Sequence, residues 1–189
     1  MHRSRAALLA MDLQQRMVDG HPDSDLLLER AATAIAAARD AGIPVVHVRV
    51  AFRDGHPEIG ARNRVFGPLK QDGLLRDGDP ASAIHPAVAP QPGEVVVVKK
   101  RVSAFAGGDL AQVLRAGEID ELVLTGIATS GVVLSTLREA ADRDFELVVL
   151  ADACLDADPE VHRMLTEKVF PRQAIVTTVA DWAEGLTST

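Results

Sequence analysis

A single cysteine, Cys154, in 189 residues excludes an internal disulfide and any multi-cysteine zinc site. Aromatic residues make up only 3% of the chain, so the core has to be assembled from Val, Leu, Ile and Ala. No apolar run approaches the ~20 residues of a membrane-spanning helix. The opening stretch MHRSRAALLAMD is too short in apolar residues for a signal h-region followed by a cleavage site, and a cytoplasmic location is the default expectation. Positive charge is in deficit: 20 Lys and Arg stand against 27 Asp and Glu, a formal net charge of −7. With no cationic surplus to displace counterions from phosphate, nucleic acid is not the expected partner. The one basic run, Lys99-Lys100-Arg101, is short. The six histidines (His2, His21, His47, His56, His85 and His162) show no HxH or HExxH spacing, and neither GxGxxG nor GxxxxGK[ST] occurs. No metal, cofactor or nucleotide is therefore expected.

What is present reads as one soluble domain. At 47% apolar and 25% charged the composition is that of a globular protein, and a chain of this length buries roughly 70% of its extended surface. β-Branched runs fall at about 6–11, 43–50, 94–99, 121–126, 145–151 and 174–178. Several are apolar without alternation, as strands covered on both faces of a parallel sheet are. Helical patterns lie between them. Leu27, Ala31, Ala34, Ile35 and Ala38 share one face, with Gly42 as a stop. Leu110, Val113 and Leu114 form a second face, and Leu134, Leu137 and Ala141 a third. Asp158-Pro159-Glu160 reads as an N-cap, a proline at the first helical position and an acid in the first turn. The expected fold is a three-layer α/β/α sandwich of about six mostly parallel strands. Residues 52–93 hold six of the ten prolines (Pro57, Pro68, Pro80, Pro86, Pro90 and Pro92) and no periodicity. So long an irregular region points to a lid or an oligomer contact.

In open α/β sheets ligands bind beyond the carboxyl ends of the strands. There the sequence places Asp12 and Gln14 after the first strand, Arg49 at the second, Lys99 at the third, the turn 126–131 at the fourth and Asp152 at the fifth. Four segments in register, AMDLQ (10–14), KKRVSAF (99–105), GIATSGVVLSTLREA (126–140) and ADAC (151–154), resemble the isochorismatase-like hydrolase superfamily. That group includes nicotinamidases, carbamoyl-amide hydrolases and isochorismatases, and the resemblance runs from about residue 6 to 180.

The resemblance implies an Asp, Lys and Cys site. Asp12 and Lys99 occupy the first two positions, with Lys100 on the opposite face of its strand. The cysteine position holds Val132, which cannot attack a carbonyl, so the thioester route of the amidase members is closed unless another group substitutes. The isochorismatase branch also lacks this cysteine but has Gly there. Arg49 stands near where nicotinamidases place a metal-binding acid. Cys154 is not the family nucleophile, and Thr129 and Ser130 read most simply as helix N-caps, with no histidine near in sequence to activate either. A non-proline cis peptide is implied at Ile127–Ala128.

The resulting expectation is a cofactor-independent hydrolase of a small molecule. Asp12 moves the proton, Lys99 orients it, and backbone N–H groups at Ala128 and Val132 cradle an oxyanion. Gln14, Arg49, Phe52, Arg101, Phe105 and Thr129 are the candidate substrate contacts. A lysine within ~4–6 Å lowers an aspartate's pKa whereas a general acid needs it raised, so burial has to compensate. Because neighbouring strands lie ~4.8 Å apart, contact between Asp12 and Lys99 favours the strand order 2-1-3-4-5-6 over 3-2-1-4-5-6. The alternative to an enzyme is a catalytically silent relative that binds a small ligand or serves as an oligomeric partner. A homo-oligomer, dimer or larger, is expected on analogy alone.

Overall fold

The computed structural model describes residues 5–19 and 21–187; residues 1–4 of the opening stretch, His2 among them, lie outside the described residues. In chain order the elements are β1 (Ala6–Met11), α1 (Gln15–Val18), α2 (Ser24–Asp40), β2 (Val45–Val50), α3 (Gly67–Gln71), β3 (Val95–Lys99), α4 (Leu110–Ala116), β4 (Glu121–Ile127), α5 (Leu134–Ala141), β5 (Glu146–Leu155), α6 (Pro159–Met164), β6 (Ile175–Thr177) and α7 (Val179–Thr187). A π-helical turn, Thr129–Val133, leads into α5. All six apolar runs are strands, paired in parallel.

Alternation along each strand sorts its side chains between two apolar layers. Ala7, Leu9, Met11, Val46, Val48, Leu122 and Leu124 pack under Leu110, Leu114, Leu137 and Ala140 of α4 and α5. Leu8, Ala10, Val45, Val123 and Val148 pack under Leu27, Ala31, Ala34, Ile35 and Ala38 of α2, with Val179 of α7. The architecture is the three-layer α/β/α sandwich read from the sequence. Helix signals also hold: Gly42 adopts φ +69° just past α2, and the Asp158 carboxylate accepts the Glu160 N–H at 2.9 Å.

The strand order corrects the expectation. It is β3-β2-β1-β4-β5-β6, so β2 separates β1 from β3. The first three strands wind one way from β1 and the last three the other, which puts the topological switch between β1 and β4. There the two backbones meet closely, with Met11 opposite Gly126. Gly126 has φ +136°, and a Cβ on it would lie 2.1 Å from the Met11 carbonyl oxygen. Only glycine fits.

Residues 52–93 are less irregular than expected. They hold α3, two short 3-10 turns and an apolar cluster of their own, in which Phe52, Ile59, Phe66 and Leu75 close on Val50. At the other end of the sheet, Arg39 at the end of α2 grips Glu94 at the entrance to β3 through two 2.8 Å bonds. His47 of β2 adds a third contact to the same carboxylate at 3.1 Å. Arg39 above all holds the Glu94 pKa down at about 2.

Two predictions follow from these contacts. Gly126→Ala should cost roughly 3 kcal/mol or more, from the backbone clash and the strained φ; an unchanged denaturation midpoint would refute the close approach. Glu94 titrates below its unfolded value of 4.5, so its stabilisation is fully present above about pH 4.5 and fades as pH falls through about 2. Glu94→Gln should therefore lose about 1–3 kcal/mol at pH 7, with the difference from wild type shrinking toward pH 2 in urea titrations.

Candidate active site

Asp12 follows the last residue of β1, and its backbone turns into the left-handed region at φ +56°. Its N–H still donates to the Val48 carbonyl at 2.8 Å, so the turn starts while the residue remains anchored to β2. The carboxylate is nearly buried, and its Oδ2 receives Lys99 Nζ at 2.8 Å. Lys99 is 1% exposed. Its other two ammonium protons go to the carbonyls of Arg101 at 3.1 Å and Val102 at 2.8 Å, which accounts for all three donors. The expected pair thus forms, but across β2: a four-carbon stem covers a separation of two strand spacings, roughly 10 Å.

The second oxygen, Asp12 Oδ1, is buried with no hydrogen-bond partner among the described residues. Such an oxygen leaves a desolvation cost uncompensated. Burial raises the Asp12 pKa and outweighs Lys99, which pulls it down.

The turn after β4 lies beside β1 across the switch. Its Ile127–Ala128 peptide is cis, as the resemblance implies. Val132 is 2% exposed and packs into the apolar layer under α5. Neither Thr129 nor Ser130 caps the helix with its side chain. The Ser130 N–H donates instead to Asp156 Oδ2 at 2.6 Å, and the Gly131 N–H to the Ala128 carbonyl at 3.0 Å. Thr129 is fully buried, and its Oγ1 lies 2.8 Å from Nδ1 of His162 on α6. A histidine does reach it, from 33 residues along the chain.

Several expected contacts are placed elsewhere. The Gln14 side chain is fully buried and acts as a piece of strand: its amide donates to the carbonyls of Val50 at 3.0 Å and Ser82 at 2.7 Å and accepts the Val50 N–H at 2.8 Å. Arg49 binds Asp77 at 2.6 Å instead of an open position, and draws the Asp77 pKa down. Phe52 is fully buried, stacked edge-on against Phe66. Phe105 packs on Phe145, at the amino end of β5 and so at the wrong end of the sheet, under the Arg143 guanidinium. Arg101 remains exposed and ties the segments together through the carbonyls of Lys100 at 2.6 Å and Glu58 at 2.9 Å. Lys100 turns to the Ala51 carbonyl at 2.5 Å, away from Lys99. Cys154 is buried in β5, and burial pushes its thiol up to about 12, leaving it protonated and inert. Among the described residues, no three His, Cys, Asp or Glu side chains are grouped to hold a metal, and no helix is long and apolar enough to cross a membrane.

With this geometry in place, the family model of the isochorismatase domain matches residues 6–181. The chain belongs to the isochorismatase family. It is 35% identical to maleamate amidohydrolase of Pseudomonas putida over 71% of this chain and 62% of that protein; the match therefore spans about three-fifths of that relative's length. It is 35% identical to phenazine biosynthesis protein PhzD of Pseudomonas fluorescens, over 92% of this chain and 83% of that one. Among solved structures, an isochorismatase family protein from Burkholderia thailandensis superposes with a TM-score of 0.87 at 30% identity, covering 99% and 98% of the two chains.

Removing Lys99 tests the pair. Asp12 has its folded pKa above the unfolded value of 3.8, so stability falls as pH rises from there through the folded pKa and is level above it. Lys99→Met should push that folded value higher. It should cost about 3–5 kcal/mol at pH 8 and less at pH 5, measured by urea unfolding across pH. A loss below about 1 kcal/mol at both pH values would show that the ammonium does not hold a buried carboxylate.

Proposed function

We propose that this chain is a cofactor-independent hydrolase of a small molecule, worked by the Asp12–Lys99 pair with no cysteine beside it. The observation that carries the reading is the state of Asp12: one carboxylate oxygen held by Lys99 and the other buried without a partner, at the switch point of the sheet. In its protonated form, which burial favours, the carboxyl can give up a proton to a substrate atom placed at Oδ1. In an enol ether the acceptor is the vinylic carbon. Its protonation leaves an oxocarbenium ion, water adds, and the hemiketal collapses to a ketone and an alcohol while the proton returns to Asp12. In an amide or carbamate, Asp12 acts in its ionised form: it takes a proton from the attacking water and returns it to the nitrogen as the tetrahedral intermediate collapses, breaking the C–N bond and releasing the amine.

Lys99 fixes the carboxylate and stabilises its charge after proton release. The Ala128 and Val132 N–H groups are the donors proposed for an oxyanion; those of Ser130 and Gly131 bind Asp156 and the Ala128 carbonyl. Val132 replaces the nucleophile and narrows the site. Arg101 is the remaining side chain suited to a substrate's polar end. The similarity to proteins named maleamate amidohydrolase and phenazine biosynthesis protein supports a small organic substrate; a cytoplasmic location and a homo-oligomer belong to the proposal on analogy alone.

A second reading, a silent relative that binds a ligand or a partner subunit, draws on the burial of Asp12, Lys99 and Val132, at 6%, 1% and 2% exposed. A hydrolysis screen over enol ethers, amides and carbamates separates the two. Wild type should turn over at least one class, and Asp12→Asn should lose about 10²–10⁴-fold in kcat. An inactive wild type whose Val132→Cys variant gains amidase activity would establish the silent relative instead.

A further inference from the structure

The turn that carries Val132 has a second anchor that the proposed chemistry does not use. Thr129 opens it immediately after the cis peptide, with its hydroxyl 2.8 Å from His162 Nδ1. The next residue's N–H is held at 2.6 Å by Asp156, from the segment that joins β5 to α6. His162 is in turn fixed on α6, whose start the Asp158 carboxylate caps and where Thr166 donates to the His162 carbonyl at 2.9 Å. Two side chains, the half-buried His162 of α6 and the buried Asp156 before it, thus hold residues 129 and 130. Burial lowers the His162 pKa, with Asp156 opposing. Either neutral tautomer keeps the contact, because a threonine hydroxyl both donates and accepts.

We infer that His162 is a positioning residue: by holding Thr129 it sets the direction of the Thr129–Val133 turn, and with it the backbone N–H groups and the Val132 side chain. Thr129 is given no nucleophilic role: its hydroxyl is bonded to His162 within the protein, 2.8 Å away. The geometry resembles a nucleophile–base couple but is turned inward. A displacement of about 1 Å in a group that meets the transition state is enough to cost ~10²-fold in rate, so a hydrogen bond remote from the reacting atoms can set kcat. What the turn does during turnover rests on the hydrolase reading above; how the turn is held does not.

Five variants and two measurements test this. His162→Ala and Thr129→Val should each lower kcat about 10–100-fold while changing KM less than about threefold. The double variant should be no worse than the poorer single, because both remove one bond. Thr129→Ser, which keeps the hydroxyl, and His162→Asn, which keeps a polar atom at the Nδ1 position, should each restore at least a third of wild-type kcat. Amide hydrogen exchange followed on the same proteins should quicken at residues 130–133 in His162→Ala and stay unchanged in β1, β4 and β5.

Unchanged exchange in the turn, or faster exchange spread through the sheet, overturns the inference, as does an unaltered kcat in an active protein. A wild type without turnover sinks the hydrolase reading alone, and the exchange at residues 130–133 then decides the positioning role.

Discussion

The ion pair between Asp12 and Lys99 is the interaction on which the site depends, and it is an expensive one. Two charges leave water together, and their attraction offsets that loss only when the remaining donors are matched. Lys99 meets the condition through the Arg101 and Val102 carbonyls. Asp12 does not, since Oδ1 has no partner. Apolar residues of similar volume often serve a core as well as a buried ion pair or better. Stability alone therefore gives no reason for this pair, still less for the open oxygen. Its place at the carboxyl end of β1, next to the strand at which the winding reverses, gives one, because that is where sheets of this type leave a crevice for ligands.

The backbone around the pair is shaped to the same end. β1 stops against Gly126, whose missing side chain lets β4 approach Met11. Asp12 then bends away at φ +56°, a conformation uncommon outside glycine but tolerated by aspartate. Gln14 next presents its amide to both polar groups of Val50, extending β2's hydrogen bonding where β1 no longer runs. The strand end is thus replaced by side-chain bonds, leaving Asp12 free of ladder geometry at its carboxylate.

The sequence made some of this legible and hid the rest for physical reasons. Strands buried on both faces read as unbroken apolar runs, so all six were visible, and so were the caps at Asp158 and Gly42. Strand order was not, because the inference equated side-chain contact with strand adjacency, and a lysine is long enough to pass over an intervening strand. Gln14, Arg49, Phe52 and Phe105 were placed by their proximity in sequence to strand ends. That proximity does not say which way a loop turns: Phe105 doubles back to the amino end of β5, Phe52 closes an apolar cluster, and Arg49 meets Asp77. His162 was missed because 33 residues separate it from Thr129. The proline and N-cap before it fix where α6 begins, but nothing local says which turn α6 faces.

The layer over the site differs in kind from the sheet beneath it. Phe52, Ile59, Phe66 and Leu75 with Val50 make a small core, whereas the two layers of the sandwich are extensive. The rest of the attachment is polar: Lys100 to the Ala51 carbonyl, Arg101 to the Glu58 carbonyl, Arg49 to Asp77 and Gln14 to the Ser82 carbonyl. Hydrogen bonds at a rim exchange with water at small net cost, typically about 1 kcal/mol each, while separating packed apolar surface costs about 25 cal/mol per Å². The attachment of residues 52–82 to the strand ends therefore rests largely on polar contacts, whereas the sandwich beneath it rests on apolar burial.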